Sequence, residues 1–82
     1  MIDKVVEIRW TQPDGRRTGI CYHVHYAKTK NNRHGRTRIF GSNENLPLTV
    51  LNFILADDVK CDTEYQTTLG DSKLKKVVTY TR

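Results

Sequence analysis

KVVEIRWTQPDGRRTGICYHVHYA, residues Lys4 to Ala27, is the stretch on which the fold turns. From Lys4 to Trp10 the chain places Val6, Ile8 and Trp10 on one side and Val5, Glu7 and Arg9 on the other. That is the period-two pattern of a half-buried strand, and the side bearing Trp10 is expected to face the core. Gln12-Pro13-Asp14-Gly15 then supplies turn chemistry: proline presets φ, aspartate bonds the backbone ahead and glycine accepts positive φ. A second arm from Thr18 to Ala27 sets Ile20, Tyr22, Val24 and Tyr26 against Cys21, His23, His25 and Ala27. The pair reads as an antiparallel hairpin, with Trp10, Tyr22 and Tyr26 as core aromatics because each shares its face with Ile8, Ile20 or Val24.

Working outward, Lys28 to Arg36 is polar, with Asn and Gly near its centre, and leads into a short third strand, Thr37 to Phe40. Gly41 and Ser42 end it. Asn45 is positioned to cap a helix from about Leu46 to Asp57, with Pro47 tolerated in the first turn. Leu48, Leu51 and Leu55, with Val50 and Ile54 beside them, form the broad apolar face expected to cover the sheet. Asp57 and Asp58 fall at the unfavourable end of that helix dipole and read as a solvated turn. Two further strands, about Thr63 to Leu69 and Lys73 to Thr81, flank Gly70-Asp71-Ser72. The order β-β-β-α-β-β gives an α+β class: a small antiparallel sheet of about five strands with one helix on one face.

At 82 residues and 37% hydrophobic, the chain is expected to be a single domain, residues 1–82, with a small core. The residues after Met1 lack the apolar segment of a secretory signal, and no run approaches a membrane span, so a cytoplasmic protein is expected. Cys21 and Cys61 are expected to stay reduced there.

The charge pattern points towards function. The 29 residues from Gly15 to Asn43 contain no acid, yet hold Arg16, Arg17, Lys28, Lys30, Arg33, Arg36 and Arg38, half of the 14 basic side chains. The net charge of +5 therefore resides in one region, and a localised positive field attracts polyanions and displaces their counterions. Arg36 and Arg38 share one side of their strand, a spacing that suits successive phosphates. The expected interface is Arg16, Arg17, Lys28, Lys30, Arg33, His34, Arg36 and Arg38, with Lys73, Lys75 and Lys76 available to extend it. Asn31 and Asn32 read as ordinary turn residues.

Other chemistries find less support. Cys21, His23 and His25 share a strand face and are metal-ligand types, but no recognisable spacing brings further ligands, so no metal and no cofactor is expected. No phosphate-binding glycine loop or catalytic triad is present, which leaves a non-enzymatic module that binds the phosphate backbone of DNA or RNA. The alternative is an interaction or inhibitor protein that meets an acidic partner protein through the basic face, or adds an exposed edge strand to a partner's sheet. Unprotected edges, and the acidic Asp57, Asp58, Asp62 and Glu64, also leave room for a homodimer.

Overall fold

The computed structural model describes residues 1–11, 17–31, 33–67 and 74–82. The elements are β1 (Ile2–Thr11), β2 (Arg17–Tyr26), β3 (Arg36–Phe40), α1 (Leu48–Leu55), β4 (Lys60–Thr67) and β5 (Leu74–Thr81). The expected order β-β-β-α-β-β is observed, and all pairings are antiparallel. The proposed turns at Gln12–Gly15 and Gly70–Ser72 lie outside the described residues, as does Asn32.

Spatially the strands run β3-β2-β1-β5-β4, so the first strand is the middle one. The chain leaves β3 at one edge and must re-enter as β4 at the other, across four strand spacings of about 4.8 Å. The segment 41–59 makes that crossing and carries α1 over one face of the sheet. Reciprocal bonds between Gly41 and Glu44, backbone (3.2 Å) and carboxylate (3.3 Å), start the crossing.

Register decides which side chains meet the helix. Val5 lies between Val24 on β2 and Tyr80 on β5, and Glu7 lies between Tyr22 and Val78. The core is Val5, Val24, Phe40, Val50 and Phe53, with Tyr22, Tyr26, Ile54 and Tyr80 packed around it. Tyr22 and Tyr26 thus pack against the core as expected, but Trp10 does not. Trp10 alternates with Val5 and Glu7 and falls on the face away from α1, because a period-two strand sends a whole residue set to one side or the other. Glu7 is buried on the core side and is neutralised by Arg9, whose Nε donates to Glu7 Oε1 at 2.5 Å. Burial first, and the Glu7 carboxylate second, push the Tyr22 hydroxyl above its ordinary pKa, so it stays protonated as a donor beside this pair.

The helix is shorter than its apolar run implies. Pro47, with ψ of 150°, stands outside it, and the first helical bonds run from Val50 N and Leu51 N to Pro47 O, so Asn45 is not the cap. At the other end Ala56 is extended, which moves Asp57 and Asp58 off the helix dipole into a turn where Asp58 meets Arg82 at 3.3 Å. The buried stripe is Val50 and Phe53 with Ile54, whereas Leu48 and Leu55 are 71% and 77% exposed. Both stripes have helical spacing, and the one that carries the aromatic ring, the larger apolar surface, faces the sheet.

That orientation has a measurable consequence. Phe53→Ala should cost about 3–4 kcal/mol in denaturant unfolding. Leu55→Ala, on the exposed stripe, should stay within about 0.5 kcal/mol of the parent. Equal costs at the two positions would contradict this orientation of the helix.

Candidate nucleic-acid interface

The β2–β3 ladder pairs Val24 with Arg38, His25 with Thr37 and Tyr26 with Arg36. Arg36 and Arg38 therefore share the helix-bearing side of the sheet, next to Tyr26 and Phe40. Their guanidinium carbons sit 4.9 Å above the rings of Tyr26 and Phe40, respectively. Stacking over a ring fixes each guanidinium while its N–H groups stay open to a ligand.

The tip closes tightly. Gly35 adopts φ of +75°, and a Cβ there would stand 3.0 Å from the Tyr26 carbonyl oxygen, so the position favours glycine on two grounds. Ala27 N donates to Met1 O at 2.9 Å, which draws the start of β1 against the end of β2. Lys4 is thereby placed opposite His25.

The result is a cavity of about 210 Å³ whose walls carry Lys4, Lys28, Arg36, His25 and His34, with Asp3 as the one acid among the residues that line it. The Thr37 hydroxyl and His25 Nδ1 share a hydrogen bond of 3.0 Å, which fixes the imidazole. Burial first, then Lys4 and His23, lower the pKa of His25, while Asp3 opposes them more weakly. A pocket of this size, rich in cations and with an immobilised neutral imidazole, suits an oxyanion such as a phosphate group. A larger groove of about 370 Å³ beside α1 is lined by one cationic side chain, Arg82, which is already paired with Asp58 and stacked on Phe53, so side-chain charge favours the smaller site.

Of the residues proposed from sequence, Lys28, His34 and Arg36 line the cavity. Arg38 adjoins it along β3, and Lys30 and Arg33 are exposed on the same tip. Arg17 begins β2 opposite Thr11, at the far end of a ten-residue strand some 30 Å away, so it does not join the tip. Arg16 and Lys73 lie outside the described residues, and Lys75 and Lys76 fall on opposite faces of β5. Lys4, His25 and Thr37 belong to the site but were not among the proposed interface residues. Their signal was the strand register, which pairs His25 with Thr37, 12 residues on, and with Lys4, 21 residues back. Among the described residues, no group of three or more His, Cys, Asp or Glu side chains is arranged to hold a metal ion, and no helix is long and apolar enough to cross a membrane.

Comparison with protein-family models, with curated proteins and with solved structures finds no match to this chain.

The lowered pKa of His25 gives a pH dependence with a definite sign. The unfolded chain takes up the proton more readily than the folded one. The His25 contribution to stability is therefore complete above the ordinary value of 6.5 and declines as pH falls through 6.5 towards the folded midpoint. A proton-NMR titration should give a His25 midpoint below 6.5, and His25→Gln should reduce the loss of stability below that pH. A midpoint at or above 6.5 would contradict the assigned environment.

Proposed function

We propose that this protein is a small, non-enzymatic, cytoplasmic module that binds nucleic acid through its phosphate backbone, using the β2–β3 tip as the contact. The observation that carries the reading is the cavity lined by Lys4, Lys28 and Arg36 with His25 and His34, all but Lys4 drawn from the 29-residue stretch without acids. These residues come from three segments of chain and line a space large enough for a phosphate group. Arg38, Lys30 and Arg33 would engage neighbouring phosphates, since they extend from the same tip. Binding of this kind draws its affinity from counterion release, so it weakens steeply with salt.

A second reading, a partner protein that adds a strand to the sheet, has one observation in its favour: β4 is an eight-residue edge strand, exposed from Lys60 to Gln66. Lys60, Asp62 and Glu64 place charge along that edge, the device by which proteins discourage strand addition, so this reading ranks second.

The test is binding to labelled single- and double-stranded DNA and RNA across a salt series. Lys28→Ala combined with Arg36→Ala should weaken binding to every sequence and make the log–log salt slope shallower by about 1.5. Lys60→Ala, at the opposite edge of the sheet, should leave the slope as it was. An unchanged slope in the double variant would remove the tip from the interface, and no binding even at low salt would favour the partner-protein reading.

A further inference from the structure

Among the described residues, no element covers the face of the sheet away from α1. The elements are one five-stranded sheet and one helix, and the helix packs on the side of Val5 and Val24. The other face presents Val6, Ile8 and Trp10 on β1, Cys21 and His23 on β2, and Val77 on β5, all half-buried. Beyond them on β3 lies Ile39, 58% exposed. For a small soluble domain this is a large apolar surface to leave open, and such surfaces mark binding sites.

The charges around it indicate what it binds. Across β3, β2, β1 and β5 this face carries Lys4 and Lys75 and, among the described residues, one acid, Asp3, which lies beside Lys4 at the cavity. Asp62 and Glu64 are confined to the outer strand β4. Lys4, His25 and Thr37 belong both to this face and to the phosphate-sized cavity, so the cavity opens onto the end of the apolar surface. At the other end of β1, six residues and about 20 Å away, Trp10 lies across Gly19, where a Cβ would stand 3.7 Å from Trp10 Cε3, and Lys75 is its cross-strand neighbour. One side of the half-buried indole thus packs on glycine.

We infer that this open face is a stacking surface for single-stranded nucleic acid. The backbone is anchored in the cavity beside Lys4, bases are laid over Ile8 and His23, and one base is stacked on Trp10 with Lys75 at its phosphate. A duplex keeps its bases paired and offers no ring to the indole, whereas an unpaired strand offers both backbone and base faces. The inference rests on the backbone-binding reading and adds the strandedness of the ligand and the residues that receive its bases.

Trp10 is the single tryptophan, so its fluorescence reports this surface directly. Titration with a thymidine oligonucleotide should quench Trp10, and the matching duplex should not. Trp10→Ala should weaken single-strand binding about tenfold while leaving the salt slope and duplex affinity unchanged, and Trp10→Phe should restore most of the loss. Quenching is read on the unaltered protein and does not depend on how the variants fold. Binding of single strands and duplexes with equal affinity and no quenching would overturn the inference while leaving backbone binding at the tip intact. Absence of any nucleic-acid binding at low salt would remove the reading beneath it. A concentration-dependent dimer in sedimentation, accompanied by a blue shift of Trp10, would overturn it differently, by showing that a second copy covers the face.

Discussion

The double pairing of β1, with β2 on one side and β5 on the other, is the constraint on which the rest of the molecule depends. It sets Val5 between Val24 and Tyr80 and so creates the patch onto which Val50 and Phe53 pack. The same ladder buries Glu7, which is stable there because Arg9, two residues on, projects from the same side of the strand and supplies the opposite charge. It also brings Lys4 to His25, which joins the start of the chain to the basic tip. Core, buried ion pair and cavity wall are three results of one register. A slip of one residue would exchange the two faces and break all three.

One helix cannot cover a sheet on both sides, and the position of the helix follows from connectivity. Because β3 and β4 end up at opposite edges, the connecting segment has to traverse the sheet, and it does so once. An eight-residue helix is about 12 Å long, against about 33 Å for a ten-residue strand, so even the covered face is only partly shielded. Among the described residues, the sheet thus carries more apolar surface than the helix hides. The cations are distributed unevenly around that surface: the β3 edge carries Arg36 and Arg38, and the β4 edge carries Asp62 and Glu64. A polyanion approaching the molecule meets attraction at one edge and repulsion at the other.

Much of the architecture was legible in the sequence, because alternation along Lys4–Trp10 and Thr18–Ala27 and the change of period after Pro47 are local signals. Which face was buried was not legible. Val6, Ile8 and Trp10 are the more apolar set on β1 taken alone, and only cross-strand neighbours contributed by β2 and β5 make Val5 and Glu7 the inner pair. The helix posed the same ambiguity, since Leu48, Leu51 and Leu55 compete with Val50, Phe53 and Ile54 at equivalent spacing. At the basic site the sequence identified the charged tip from its local density of cations. It did not identify Lys4 or Thr37, whose places in the cavity are set by pairing between distant positions.

The central place of the first strand also shapes how the chain reaches this structure. As the protein is synthesised, β1, β2 and β3 can form a three-stranded meander early, whereas every β1–β5 partner lies more than sixty residues away. Until β5 emerges from the ribosome, the strand destined for the middle is an edge, with a full row of unpaired N–H and C=O groups. Lys4, Glu7 and Arg9 place charge along that edge. Charges that look out of place in a central strand are of the kind that disfavours pairing with neighbouring chains, and once β5 has paired with β1 that edge is closed.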